Sequence, residues 1–151
     1  MRIALGSDEN TGLTALLEQE LAARGHRVCL FGALAPGGDD RWPVVGRAVA
    51  EAVASGQADE GIVCCFTGTG VSIAANKVYG VRAALCADAA TAAGARRWNR
   101  ANVLALSLRA TSEPLAREIL GAWFSEPLGS GQDEELAAIV EKQGPAAGGA
   151  R

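Results

Sequence analysis

The sequence predicts a three-layer α/β/α fold on a five-stranded parallel sheet, and three observations carry that expectation. Five short apolar runs alternate with segments of helical period from one end of the chain to the other. None of the five shows polar alternation, as befits strands covered on both faces. The 151 residues include 31 alanines and 19 glycines but only three Phe, three Trp and one Tyr, a composition suited to closely packed helices and loops shaped by backbone. With 49% apolar and 21% charged residues, the length suits one compact domain, set at residues 1–142.

The strands are residues 3–6, 27–31, 61–65, 82–86 and 103–107, all rich in Val, Ile, Leu, Ala and Cys. After the first, Leu13, Leu16, Leu17 and Leu21 form a helical stripe closed by Gly25, a helix of about three turns. His26, just past its end, reads as a capping or surface residue. Residues 36–43 are a loop by their Pro, Gly and Asp content, and residues 44–55 form a small-residue helix stopped by Gly56. A glycine-broken segment, Phe66-Thr67-Gly68-Thr69-Gly70, follows the third strand. Residues 87–98 make the next helix. Ser112-Glu113-Pro114 opens another, with Leu115, Ile119, Leu120 and Trp123 on one face. Residues 133–142 form a terminal helix, and the Gly/Ala tail, residues 143–151, is expected to be disordered because it has nothing to bury. For five such strands the common Rossmann-like, flavodoxin-like order is 2-1-3-4-5, which puts the ligand crevice at the carboxyl ends of the adjacent first and third strands.

Composition also removes several kinds of function. A net charge of -3 argues against bulk electrostatic binding of nucleic acid or anionic membrane. The N-terminal apolar run breaks after three residues and no later run could span a bilayer, so the expected compartment is the cytoplasm. Four cysteines without Cys-x-x-Cys spacing and a single histidine exclude zinc sites and His-dependent triads. A dinucleotide fingerprint fails at its third glycine, where Ile73 stands, although Asp88 lies at a suitable distance.

Two segments reach the crevice. Ser7-Asp8-Glu9-Asn10 follows the first strand, where Asp8 either meets a ligand or caps the next helix, and Glu9 and Asn10 add polar reach. The second is Cys65 through Ser72, whose glycines can turn unpaired helix-start N–H groups toward an anion or merely shape a tight turn. Cys64 and Cys65 are consecutive in a strand and point to opposite faces. Cys65, last in the strand, is the candidate reactive thiol, with inert packing the competing role; Cys29 and Cys86 are assigned to the core. Arg96, Arg97 and Arg100 surround Trp98 and either pair with an anionic ligand or complement a helix end.

The run from Gly61 to Cys86, with Cys65, Thr67-Gly68-Thr69-Gly70 and Ser72-Ile73-Ala74-Ala75-Asn76-Lys77 at its centre, closely resembles the family of type B ribose-5-phosphate isomerases and galactose-6-phosphate isomerase subunits. The likeness extends to Gly6-Ser7-Asp8, Gly25-His26, Asn99 through Leu106 and Arg109. It implies an aldose–ketose isomerase working through an enediolate, with Cys65 as the base and Thr67 assisting. Backbone N–H groups between Gly68 and Ser72 would hold the developing oxyanion, Asp8 and Asn99 substrate hydroxyls, and Arg109 a phosphate. The resemblance requires no metal or organic cofactor and implies a homodimer, or a dimer of dimers, with each active site built from two subunits.

Four departures mark the chain as a divergent member. Glu9 and Trp98 stand where the family has histidines, the second of which opens a furanose ring. Phe66 replaces the glycine after the cysteine, and Gly131-Gln132-Asp133-Glu134-Glu135-Leu136 replaces an arginine-rich phosphate motif. Three readings fit them. The substrate is a different small sugar phosphate, such as a tetrose 4-phosphate that cannot close a furanose. Alternatively it carries no phosphate and Glu9, Arg97 or Arg100 read its polar groups. In the third reading the chain is a non-catalytic or half-site subunit paired with a paralogue.

Overall fold

The computed structural model describes residues 1–139, so residues 140–142 of the expected terminal helix and the tail at 143–151 lie outside the described residues. Five strands form one parallel sheet: β1 (Arg2–Ser7), β2 (Arg27–Gly32), β3 (Glu60–Cys65), β4 (Ala83–Leu85) and β5 (Val103–Ser107). Six helices join and follow them: α1 (Gly12–Ala23), α2 (Trp42–Ala54), α3 (Thr69–Ala75), α4 (Ala89–Asn99), α5 (Glu113–Ser125) and α6 (Asp133–Ala138).

The three-layer class stands, but the sheet order is β2-β1-β3-β5-β4 rather than 2-1-3-4-5. Burial explains the exchange. β5 is apolar and inaccessible along Val103–Leu106 and belongs inside the sheet, whereas β4 has three regular residues, none fully buried, and serves as an edge. The reversal has a consequence for the helices. A right-handed crossover that runs back toward the sheet centre must pass over the opposite face from one that runs outward. The α4 connection therefore joins α1 and α5 on one face, where Ala92 and Ala95 pack in a core with Leu17, Leu104 and Trp123. Helices α2 and α3 cover the other face, around Val49, Val63, Cys65, Val71 and Ala105.

Local chemistry accounts for the helix ends. Thr11 caps α1 in a reciprocal capping box with Thr14. Asp88, the acidic residue of the failed dinucleotide fingerprint, caps α4 by accepting from the Thr91 amide at 2.7 Å. Helix α2 begins two residues before the expected start, because Pro43 belongs to its first turn rather than to the loop. Cys29 is exposed rather than in the core, since β2 is an edge strand whose residues are only partly covered. Cys86 is buried as expected. Among the described residues no helix is long and apolar enough to cross a membrane.

Candidate active site

The carboxyl ends of the strands carry two clefts of about 320 Å³ each, separated by the loop that follows β3. One is lined by Asp8, Trp42, Cys65, Phe66, Thr67, Thr69 and Gly70. The other includes Thr67, Leu85, Cys86, Ser107, Arg109 and Thr111, so Thr67 faces both.

Cys65 ends β3 and is 5% exposed, on the floor of the first cleft. The backbone turns immediately after it. Gly68 lies in the left-handed region at φ 76°, and a Cβ there would come within 2.8 Å of the Leu106 backbone. Only glycine fits this corner. Its amide donates to Cys65 Sγ at 3.2 Å, orienting the sulfur. The next residues open α3, and among the described residues the amides of Thr69, Gly70 and Val71 have no acceptor. The Ser72 amide is already taken by the Gly68 carbonyl, and the Gly68 amide by Cys65, so the donor set is narrower than Gly68 to Ser72. Thr67 and Thr69 share a hydroxyl–hydroxyl hydrogen bond of 2.8 Å at the rim.

Asp8 enters from β1. With Thr11 capping α1, it is not the helix cap, and its half-buried carboxyl has one oxygen, Oδ1, without a partner. Burial first, and then the nearby Glu9 and Asp40 carboxylates, raise its pKa above the ordinary aspartate value. Glu9 is exposed at the mouth, its amide donating to Ser7 Oγ at 3.2 Å. Asn10 turns toward the α1 start, its Oδ1 3.4 Å from Thr14 Oγ1. On the opposite face of the sheet, burial foremost and then Cys65 and Asp8 push the Cys64 thiol far up, which keeps it protonated. Burial and Asp88 raise Cys86 to about 11. Among the described residues no three His, Cys, Asp or Glu side chains converge as metal ligands.

Trp42 is a wall residue that sequence reasoning missed. Its indole lies over Gly70 so closely that a Cβ there would meet the ring at 2.9 Å. The available signal was Pro43, which marks a helix start, and helix starts in this fold face the carboxyl edge of the sheet.

Trp98 and Asn99 are not brought to Cys65. They end α4, which packs on the other face and runs toward the amino edge, and neither lines a cleft. Trp98 is exposed beneath the Arg97 guanidinium, 5.9 Å from its ring centre. Arg97 makes a two-point pair with Glu126 at 2.8 and 2.7 Å. Arg100, in the left-handed region at φ 47°, bonds the Gly129 carbonyl at 2.7 Å and pairs with Asp133 at 2.8 Å. These contacts clamp the acidic C-terminal segment to the end of its own α4, far from Arg109. Arg109 stands at the second cleft, exposed and without a carboxylate partner among the described residues.

Residues 3–140 match the family model described as Ribose/Galactose Isomerase. A D-erythrulose-4-phosphate isomerase of Pectobacterium atrosepticum is 37% identical over 145 residues, covering 95% of this chain and 93% of the relative. D-erythrulose-4-phosphate isomerase 2 of Mycolicibacterium smegmatis is 37% identical over 129 residues, covering 82% and 84%. The solved ribose-5-phosphate isomerase B of Clostridium thermocellum superposes with a TM-score of 0.84 at 39% identity, covering 92% of this chain and 95% of that one. With that extent of matching sequence and fold, the chain belongs to the ribose/galactose isomerase family.

Proposed function

We propose that the protein interconverts the aldose and ketose forms of a short phosphorylated sugar, with a tetrose 4-phosphate such as D-erythrulose 4-phosphate as the best candidate. The observation that carries this reading is Cys65, its sulfur held by the Gly68 amide in an open cleft beside three unpaired amides. As a thiolate, Cys65 takes a proton from the carbon next to the carbonyl. The electron pair moves onto the carbonyl oxygen, and the Thr69, Gly70 and Val71 amides hold the resulting enediolate oxyanion. A proton passes between the two oxygens, with Thr67 and Asp8 within the cleft to hold and exchange it, and Cys65 returns its proton to the neighbouring carbon. Atoms and electrons balance without any co-reactant. Glu9, Asn10 and Ser72 flank the substrate, and Arg109 receives the phosphate.

Two features support a tetrose phosphate. Two of the similar proteins carry that activity in their names. Trp98 stands where ring opening would need histidine, and a tetrose blocked at its terminal oxygen has no furanose ring to open. A substrate read by Arg97 or Arg100 is disfavoured, because both are already paired.

The working unit in this proposal is a homodimer or dimer of dimers in which Trp98 and Asn99 serve the site of a second copy. Trp42, Ile73 and Tyr79, 45%, 61% and 63% exposed on or beside α2 and α3, supply an apolar face for that contact. Four unpaired cysteines suit a reducing compartment, the cytoplasm.

The test is NMR in deuterated water with tetrose, pentose and hexose sugars, free and phosphorylated. Wild type should exchange the proton beside the carbonyl of D-erythrulose 4-phosphate, and Cys65→Ala should slow exchange at least ~100-fold. Undiminished exchange in the variant would remove Cys65 as the base. A folded homodimer that exchanges no sugar would instead favour a subunit needing a paralogue.

A further inference from the structure

Arg109 is a single cation expected to seize a dianion, yet nothing charged holds it in place. Arg41, Arg97 and Arg100 each have a carboxylate partner, whereas Arg109 has none among the described residues. A long side chain in that condition samples many rotamers and must lose that freedom on binding. What it does have is a ring. Its guanidinium carbon lies 5.7 Å from the centre of Phe66, within the range of a cation–π contact, and Phe66 is 58% exposed.

The backbones beneath the two side chains are locked together. The Phe66 carbonyl accepts from Ser107 Oγ at 2.9 Å and from the Arg109 amide at 3.1 Å, and the Leu108 amide donates to the Cys65 carbonyl at 2.9 Å. Ring and guanidinium thus rise from one rigid corner joining the ends of β3 and β5. That corner is also the partition between the clefts, since Phe66 lines the cysteine cleft and Arg109 the other.

We infer that Phe66 is a positioning residue for Arg109: its ring is the platform that pre-orients the guanidinium toward the substrate phosphate. The inference rests on the proposed reading of the site. Because the ring acts through Arg109, it governs capture of the phosphate and not proton transfer.

Phe66→Leu keeps the apolar bulk but removes the π face, so KM for D-erythrulose 4-phosphate should rise about two- to fivefold with kcat unchanged. Phe66→Tyr should restore wild-type KM. Arg109→Met should raise KM further, and adding Phe66→Leu to it should change nothing more. A readout independent of turnover is the Arg109 Nε–H resonance. The ring current should displace it in wild type and in Phe66→Tyr but not in Phe66→Leu, and titration with inorganic phosphate should show the same loss of affinity. Unchanged KM and resonance position in Phe66→Leu, or additive effects with Arg109→Met, would overturn the inference. Absence of isomerisation by wild type would instead sink the proposed function, and the phosphate titration would still decide the role of Phe66.

Discussion

The two ends of the sheet use the same kinds of side chain to opposite purposes. At the amino end, Glu60 and Arg96 are 7% and 6% exposed and paired at 2.6 Å. The second Glu60 oxygen accepts from Trp123 Nε1 at 2.7 Å, Arg96 donates to the Ala101 carbonyl at 2.8 Å, and its guanidinium lies 4.9 Å from the Trp123 ring centre. Of this cluster only Arg96 Nε is left without a partner. At the carboxyl end a carboxyl oxygen of Asp8, three amides and the Arg109 guanidinium have no hydrogen-bond or ion-pair partner among the described residues. A buried polar atom is nearly always satisfied within a protein, so the open Asp8 oxygen stands out, while the amides are the unpaired donors of a helix start and Arg109 is exposed. The closed cluster serves stability, and the open one is where the proposed function puts the chemistry.

The largest expected effect that would break this contrast is at Glu60. Glu60→Ala strands the Arg96 charge and the Trp123 N–H in the core, and such losses cost about 3 to 5 kcal/mol. Urea unfolding should show the drop, while KM and kcat of the folded fraction stay near wild type. Removing both charges, Glu60→Leu with Arg96→Met, should recover part of the loss, because no uncompensated charge then remains buried. A Glu60→Ala protein as stable as wild type would mean the pair is solvated, and the amino end would lose its structural role.

Much of this division could be read from residue order. The five strands announce themselves as apolar runs, and the Cys65–Gly70 corner as a glycine-broken loop after a fully apolar strand. The neighbour of each strand is not encoded in periodicity. Hence the placement of β5 between β3 and β4 was missed, and with it the face that α4 would cover. That difference moves α4 to the other face, but because α4 joins two parallel strands it ends at the amino edge in either order, and this places Trp98, Asn99, Arg97 and Arg100 away from the cleft of their own chain. Cys29 shows a related gap, since an apolar strand residue is buried only if a helix reaches that part of the sheet. Pro43 could have placed Trp42 at a helix start on the carboxyl edge, but the contact of Trp42 with Gly70 is long-range and has no signature in spacing. Phe66 was legible as a departure from the family pattern, but its pairing with Arg109 required the hydrogen bonds that bring β3 and β5 together.

A smaller effect sharpens the comparison from the open end. An acid whose pKa is higher in the folded than in the unfolded protein binds more protons when folded across the interval between the two values. Stability therefore falls as pH rises through that interval and is level above it. Asp8 is such an acid, raised from the ordinary value of 3.8 chiefly by burial and then by Glu9. Asp8→Asn carries no charge at any pH and escapes the loss. Its stability relative to wild type should climb from pH 3 as the wild-type carboxyl ionises, then hold constant to pH 7, as read from urea midpoints. The variant should at the same time lose isomerase activity, so that stability rises where function falls. A difference that stays flat across the acid range would mean that the Asp8 carboxylate is as well solvated folded as unfolded. The contrast between a satisfied amino end and an unsatisfied carboxyl end would then rest on Arg109 and the α3 amides alone.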